Sequence, residues 1–427
     1  MSRFPSAKEG PVGRSSARSE GGSIIILVMV TLLLTAAALV AFLDKAGTDL
    51  LVDAREAQAA RMRPDAYSAL EVTIGVLQDF RLADNNALRA PSEGWSDPLG
   101  WAAWTPSDPN HTVDVSFQDE SAKIPLIHAD AVTMLALFES PGYGSMLPGD
   151  AQKLVDAILS WMEPNYTPAS ALQLDYAQSV LPYAPPGRSI RSMSELAAID
   201  VVRDVFFDAS GRPNSLWWQF TSDFSIFNYR NVDLNGANPD VLTAVGQFDP
   251  AQEQDIANYL TGTSTFSTLG RKWFTSVADL QSVTGPAGNL RAFAFTIRAL
   301  RILITVHEGN ATYTLSAVVA PQGGATTVMT TATDVQTQAA ASASGPTGET
   351  ASNTTTKTGS QVSVVPTAAQ TSAASATNIQ FPFTILEIRE NDAILTPPPP
   401  PSTPTDDTSS VPSAAVPAVS PPPSHSP

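Results

Sequence analysis

Cysteine is absent from this 427-residue sequence, and histidine occurs only four times. Without cysteine the chain has no disulfide, thiolate nucleophile, iron–sulfur cluster or cysteine-ligated zinc. The histidines, at positions 111, 128, 307 and 425, are scattered and form no metal-binding pair in the sequence. Zinc-protease, serine-hydrolase, P-loop and dinucleotide-binding motifs are absent as well. These absences argue against an enzyme and point to no catalytic or cofactor-binding residue, although a site assembled from distant residues stays an alternative.

Positive charge is also scarce. Lysine and arginine number 24 against 41 aspartates and glutamates, which gives a formal net charge of -17. Binding of nucleic acid depends mainly on basic residues that neutralise phosphates, so this balance argues against nucleic-acid partners. The hydrophobic content of 43% is enough for a core, whereas 35 prolines and a charged fraction of 15% indicate that part of the chain does not fold.

One long apolar run stands near the amino terminus. Residues 24–43 contain no charged residue. At about 1.5 Å per residue a helix of this length spans a hydrocarbon layer roughly 30 Å thick, which predicts a transmembrane helix. More basic than acidic residues precede it, so we expect a cytoplasmic amino terminus and an external remainder. A cleaved secretory signal fits less well, because its apolar core would be shorter.

The basic leader, the pair Gly21-Gly22 and the apolar helix that follows at once resemble type IV prepilins and pseudopilins. In that family a prepilin peptidase cuts after the glycine, so the resemblance implies that Ser23 is the first mature residue. An uncleaved single-pass anchor with a chance Gly-Gly pair remains the alternative. Most members carry glutamate at the fifth mature position, where this sequence has Leu27. This departure is typical of the K-type minor pseudopilin, a tip subunit with no neighbouring amine ahead of it to neutralise.

Helical spacing of apolar residues continues to Leu77 and predicts a stalk helix, which we expect Pro64 to kink or break near Met62. Residues 83–111 have no period and are interpreted as a loop. Residues 112–117 then alternate as a half-buried strand does.

Residues 120–285 contain a weak internal repeat. Strand-like stretches at 113–117 and 224–229 precede its two copies, and serines at 192 and 276 are each followed three residues later by an acid, as in a capping box. The pattern resembles the helical insert of K-type pseudopilins, although Pro125 and Ile127 replace two asparagines usual in that family. Residues 124–129, 151–152 and 192–196 of the first copy match 232–237, 251–252 and 276–280 of the second.

The remaining sequence predicts a hairpin with strands at 292–306 and 312–319, and a final strand at 381–389. Residues 321–380 contain no aromatic residue and are predicted to be disordered. A Pro/Ser-rich tail closes the sequence and is predicted to be extended.

These patterns predict an α+β protein with an N-terminal transmembrane and stalk helix, a pilin-like antiparallel sheet, and a large inserted all-α domain made of two similar helical units. The predicted segments are a leader (1–22), a transmembrane helix (23–43), a stalk helix (44–82), a loop with the first sheet strand (83–119), the helical insert (120–290, with copies at about 120–200 and 230–285), a hairpin (291–320), a disordered insertion (321–380), a last strand (381–390) and a disordered tail (391–427).

Calcium is the one ligand that the resemblance suggests. Family members often carry an Asp-Trp-x-Asp-x-Asp phrase, where this chain has Trp161 but none of the three aspartates. Glu163, Asn165 and Asp175 are weak candidates, because calcium takes six to eight oxygen ligands and these residues supply too few. Solvated loop residues are the alternative interpretation. We expect Trp161 to be a core residue. The aromatic residues at 217, 218, 220 and 224 are expected to pack between the helical copies, and an exposed interaction patch is the alternative.

The resemblance implies a non-enzymatic minor pseudopilin at the tip of a type II secretion pseudopilus, which initiates assembly and supports protein export. Its implied partners are the other minor pseudopilins, the major pseudopilin, the prepilin peptidase and the inner-membrane secretion assembly. The chain would cross the inner membrane once, with its bulk in the periplasm. A minor pilin of a type IV pilus is the nearest alternative, and a membrane-anchored periplasmic enzyme or binding protein is the alternative from another class.

Overall fold

The computed structural model describes residues 21–171, 176, 182–268, 270–286, 288–328 and 382–392. Most of the predicted leader, most of the predicted insertion and nearly all of the predicted tail therefore lie outside the described residues. The chain divides into two compact units. The first comprises Met1–Gly75, Asp97–Val115 and Ile304–Leu315, and the second comprises Val76–Ser96, Ser116–Leu303 and Ser316–Pro427.

The described residues form an α+β fold with a long N-terminal helix, an antiparallel sheet and many short helices, which confirms the predicted fold class. The helices are α1 (Gly21–Ala83), α2 (Pro98–Trp101), α3 (Ala131–Phe138), α4 (Pro148–Met162), α5 (Asp200–Phe206), α6 (Ser215–Asp223), α7 (Pro239–Val241), α8 (Pro250–Thr261) and α9 (Val277–Thr284). The strands are β1 (His111–Asp119), β2 (Ile124–Pro125), β3 (Phe224–Ser225), β4 (Val232–Asp233), β5 (Phe293–Ala294), β6 (Leu300–Glu308), β7 (Ala311–Pro321) and β8 (Phe383–Glu390).

Helix α1 runs without interruption for 63 residues and contains Pro64. The predicted break near Met62 is therefore wrong. Proline removes one helical N–H and crowds the preceding turn, but the exposed ring of Pro64 lies between the buried residues Met62 and Ala66. Burial of these flanking side chains holds the helix through the proline.

The main sheet has the strand order β1-β6-β7-β8. Strands β6 and β7 form the predicted hairpin, and their turn is shorter than expected, because only Gly309 and Asn310 lie between the strands. Alternate burial of Ile302, Ile304 and Val306 on β6 is typical of a strand with one face in the core. The final strand predicted at 381–389 is present as β8, at the edge of the sheet.

Two predicted boundaries in this region are wrong. The first hairpin strand does not begin at 292, because residues 293 and 294 form β5, which pairs with β4 in a separate two-stranded sheet. The predicted disorder does not begin at 321 either. Pro321 ends β7, and Thr326 pairs with Asn228 through hydrogen bonds of 2.8 and 3.1 Å. The rest of the predicted insertion, from 329 onward, lies outside the described residues.

The internal repeat corresponds to two structural units of the same design, the first from β2 to β3 and the second from β4 to β5. Each begins with a two-residue strand and a 3-10 turn, continues through a capped helix and further helices, and ends with a strand parallel to its first. Parallel pairing requires a long crossover, which the helices supply. The strand-like stretch at 224–229, predicted only to precede the second copy, begins with Phe224–Ser225, and these two residues close the first copy.

Of the aromatic residues expected to pack at 217–224, those at 217 and 220 on α6 and 224 on β3 are core residues, whereas Trp218 is half-buried. Trp217, Phe220 and Phe224 are fully buried. Their ring contacts, however, are with Phe138 of α3 and Phe206 of α5, which belong to the same copy. The expected packing between the two copies is therefore replaced, for these rings, by packing within the first copy.

Candidate functional site

The first candidate site is the exposed apolar part of α1. Ile25, Leu33 and Phe42 are 64%, 70% and 67% exposed, and Leu27 is 65% exposed. So large an exposed apolar surface is unfavourable in water and marks an interaction with lipid or protein. By length and composition the helix can cross a membrane, and it is compatible with a single-pass anchor. The predicted processing residues Gly22 and Ser23 lie in the first turn of α1, which begins at Gly21.

Further along, α1 holds the segment that follows it within the first unit. The buried carboxylate of Asp65 accepts hydrogen bonds from the backbone N–H of Ser107 at 2.9 Å and from its hydroxyl at 2.6 Å. The ring Nδ1 of His111 lies 2.7 Å from the same carboxylate. Burial alone would raise the pKa of Asp65, but the hydrogen bonds of Ser107 and His111 outweigh it and lower that pKa. Asp65 therefore ties the start of β1 to the helix.

A second candidate site is a buried group of charged residues in the second unit, here named the polar centre: Asp119, Glu120, Lys123, Asp233 and Arg301. Glu120 is 1% exposed and accepts hydrogen bonds from Lys123 Nζ at 2.9 Å and Arg301 Nε at 2.6 Å. Burial alone would raise the pKa of Glu120, but the two cations lower it to about 2. This triad is a compensated charge cluster, which holds the turn after β1 against β6.

Two carboxyl groups of the polar centre face each other. Asp119 Oδ1 accepts hydrogen bonds from Ser121, whereas Asp233 Oδ1 accepts one from the backbone N–H of Asn235. The Oδ2 atoms of both are buried and receive no hydrogen bond from an N–H or O–H group of the described residues. Burial raises the pKa of Asp119 to about 6 and that of Asp233 well above its usual value, and the interaction with Asp119 raises the latter further. The pair can therefore hold a proton near neutral pH.

Glycine at 236 permits this approach. A Cβ atom built on Gly236 would lie 2.9 Å from the Cβ atoms of Asp119 and Ala122. A larger residue would push the turn at Asp233 away from the turn at Asp119. The cavity beside the pair, of about 300 Å³, is lined by Trp95, Phe117 and Asn238 among others, so it presents a mixture of aromatic and polar groups.

A third buried acid connects the two copies of the helical insert. Asp223 is fully buried and accepts hydrogen bonds from Tyr143 Oη at 2.8 Å, from Gln219 Nε2, and from Asn238 Nδ2. Burial raises the pKa of Asp223, and these donors counteract the increase only in part. Because Tyr143 belongs to the first copy and Asn238 to the second, Asp223 links the copies through polar contacts.

The calcium candidates follow α4. Glu163 and Asn165 are exposed, and Asp175 lies outside the described residues. The nearby loop is organised by a residue that the sequence did not single out, the buried Asp156, which accepts hydrogen bonds from Ser170 and Tyr166 and has a pKa of about 2 despite its burial. Among the described residues no group of three or more His, Cys, Asp or Glu is placed to hold a metal ion. Calcium binding at Glu163, Asn165 and Asp175 stays a prediction.

Trp161 is a core residue, as expected: it is buried, and its indole N–H donates to Glu195 at 3.1 Å. Sequence reasoning missed the polar centre. A local signal exists, because Asp119, Glu120 and Lys123 form a dense charged run directly after a strand pattern. Arg301 lies far along the chain, and only the sheet brings it to Glu120.

These features define a class of protein: an α+β chain with one N-terminal apolar helix, compatible with a membrane anchor, and a duplicated helical insert. No family model and no curated protein matches the sequence. Among solved structures, the chain is similar to a chain of the GspK-GspI-GspJ complex from the type 2 secretion system of enterotoxigenic Escherichia coli. The TM-score is 0.41 and the identity 10%, over 64% of this chain and 94% of that chain. Neither family membership nor function follows for this chain from a similarity of this level.

Proposed function

We propose that this chain is a minor pseudopilin at the tip of a type II secretion pseudopilus, where it initiates assembly and supports protein export without catalysing a reaction. The observation that carries the proposal is helix α1. It contains the Gly21-Gly22 pair, carries no charged side chain over its exposed residues 25–43, and continues unbroken into buried positions from Met62 onward. One helix thus combines a lipid-soluble part with a part that belongs to the folded domain.

The tip position is supported by Leu27. A carboxylate at this place in lipid is costly unless it pairs with a neighbouring amine. A subunit with no neighbour ahead gains nothing from such a carboxylate, and this chain has an apolar side chain there. The duplicated helical insert adds bulk between the first and later strands of the sheet, which suits a subunit that ends a filament rather than one that repeats along it.

The proposed mechanism is templating. The apolar part of α1 packs against the helices of other minor pseudopilins and of the major pseudopilin within the inner membrane. The external part lies in the periplasm and contacts the other minor subunits, and extraction of this complex by the inner-membrane secretion assembly starts polymerisation. A prepilin peptidase removes the leader beforehand. The proposed mechanism requires no cofactor.

Mass spectrometry of the mature amino terminus tests the proposal. We expect a chain that begins at Ser23, and we expect Gly22→Leu to leave the leader attached. Gly47→Leu is the matched control, because Gly47 lies in the same helix and an added Cβ meets no atom within 4 Å. An intact leader in the wild-type chain, or cleavage beyond residue 43, would overturn the proposal in favour of an anchored enzyme or binding protein.

The choice between secretion and pilus systems needs a second measurement. We expect chemical crosslinking in intact cells, followed by purification of the chain, to recover minor pseudopilins of a secretion system. Recovery of type IV pilus subunits in their place would reassign the chain as a minor pilin, while the cleavage result would still hold.

A further inference from the structure

Eight described cations of the second unit form ion pairs. This is expected for a chain with a formal charge of -17, in which acidic side chains are abundant. The paired residues are Arg89, Lys123, Lys153, Arg188, Arg203, Arg271, Arg301 and Arg389.

Three exposed arginines are not among these paired residues. Arg230, Arg291 and Arg298 are exposed, and none of them forms an ion pair with a described carboxylate. Arg230 and Arg298 line one cavity of about 390 Å³, here named the basic pocket, together with Asn231, Ala294 and residues 323–324. Asn231 Nδ2 donates to the backbone carbonyl of Arg291 at 2.9 Å, which places the backbone of Arg291 beside the same pocket. No acidic residue is among the described residues that line it.

Hydrogen bonds to backbone carbonyls hold the walls of the basic pocket. Arg298 donates from Nη1 to the carbonyl of Gly323 at 3.1 Å, and its own carbonyl accepts from Ala325 N–H at 2.8 Å. Gly324 is needed for this approach, because an added Cβ would lie 2.5 Å from the carbonyl oxygen of Arg298. The guanidinium of Arg298 is thus already positioned, and little order has to be gained when a ligand binds.

We propose that the basic pocket binds an acidic segment of a partner protein through its carboxylates. Guanidinium groups donate planar pairs of hydrogen bonds that match a carboxylate, and the exposed amide of Asn231 adds a neutral polar group at the rim. Because the chain as a whole repels acidic ligands, an isolated basic pocket fixes where such a segment docks and in which orientation. This inference goes beyond the proposed function and does not depend on it.

Fluorescence anisotropy with the full chain in detergent tests the proposal, with fluorescein-labelled hexaglutamate as the probe at low salt. We expect the double variant Arg230→Gln/Arg298→Gln to bind the peptide at least about fivefold more weakly than the wild type. The control Lys153→Gln/Arg203→Gln removes the same charge from exposed cations on α4 and α5. Its affinity should stay within about twofold of wild type.

Arg291→Gln gives a second variant that leaves the pocket walls intact, and we expect it to weaken binding by an intermediate factor. Thermal unfolding monitored by circular dichroism confirms that each variant is folded. Equal weakening in the pocket and control variants would show a general charge effect and overturn the proposal, as would a wild-type chain that does not bind the peptide. Competition by millimolar inorganic phosphate as strong as that by unlabelled hexaglutamate would identify a small-anion site instead.

Discussion

The carboxyl groups of Asp119 and Asp233 are buried beside each other, so ionising both of them costs free energy. Their raised pKa values mean that the folded chain binds more protons than the unfolded chain at pH values above the ordinary value of 3.8 and below the folded pKa, about 6 for Asp119. Stability from this pair is therefore fully present below about pH 4 and is lost as the pH rises through about 6. The pair opposes folding at neutral pH, in contrast to most buried carboxylates that accept several hydrogen bonds.

Asp233→Asn should remove this destabilisation of the folded chain at neutral pH. The amide keeps an acceptor for Asn235 N–H and donates to Asp119, so we expect the free energy of unfolding to rise by about 1–3 kcal/mol at pH 7.5. The gain should shrink toward zero at pH 4. Denaturant unfolding of the full chain in detergent at the two pH values measures both. Asp204→Asn, at an exposed position, is the control, and an equal gain at both pH values would contradict the explanation.

Arg301 has the opposite effect on stability, because it stabilises a buried carboxylate. Arg301→Met leaves Glu120 buried with Lys123 as its remaining cation, so we expect a loss of about 2–4 kcal/mol at pH 7. Because the pKa of Glu120 falls from 4.5 to about 2 in the folded chain, the loss should narrow as the pH falls from 4.5 toward 2. Chemical denaturation over this range is the measurement. Arg298→Met, at an exposed arginine three positions earlier, should cost less than about 1 kcal/mol.

At the scale of elements, the first helices of the two copies differ in how their caps are used. Asp130 caps α3 by accepting from Thr133 N–H, and Asn238 caps α7 by accepting from Val241 N–H. Asn238 also donates to the buried Asp223. Asp130 therefore only caps the N-terminus of its helix, whereas Asn238 both caps a helix and links the two copies.

We expect Asp130→Ala to cost about 1 kcal/mol, as the loss of a cap usually does. Asn238→Ala should cost a further 1–2 kcal/mol or so, because Asp223 then loses a donor while it stays buried. Urea unfolding of the two variants side by side gives the difference. Equal losses would show that the bond from Asn238 to Asp223 contributes nothing to the free energy of unfolding.

At the scale of the whole molecule, the chain requires two environments. Residues 25–43 of α1 are uncharged, mostly apolar and exposed, whereas the second unit has a large buried core with aromatic and charged clusters. The hydrophobic effect drives the core residues together, but nothing in the described protein covers the apolar part of the helix.

Two lysines within that part should abolish membrane insertion. We expect Leu33→Lys/Leu34→Lys to move the chain from the carbonate-resistant membrane fraction to the soluble or aggregated fraction, since each charge costs about 2.5–3.5 kcal/mol at the centre of a membrane helix. Leu50→Lys/Leu51→Lys is the matched control, because these residues are equally exposed but follow Asp44. A membrane fraction reduced to the same degree in both variants would argue against an anchor at residues 25–43.

The sequence alone determined the long helix, the β6–β7 hairpin, the final strand and the duplicated insert, because these depend on hydrophobic periodicity and on cap residues close together in the chain. It also determined the apolar anchor, which is a property of one uninterrupted segment. Continuity of α1 through Pro64 could not be predicted, because the burial of Met62 and Ala66 outweighs the local cost of proline. Pairing of Phe224–Ser225 with Ile124–Pro125 was equally hidden, since two-residue strands carry too little pattern to show their partners.

Only the tertiary structure decided the charged sites. Asp119 meets Asp233, Glu120 meets Arg301, and Arg230 shares a pocket with Arg298, although each pair is far apart in the sequence. The physical reason is that electrostatic energy depends on distance and burial in space, which the order of residues does not state. A sequence pattern can therefore predict an anchored α+β protein. Which carboxyl groups share a proton, and which arginines line a pocket, is decided only when the chain has folded.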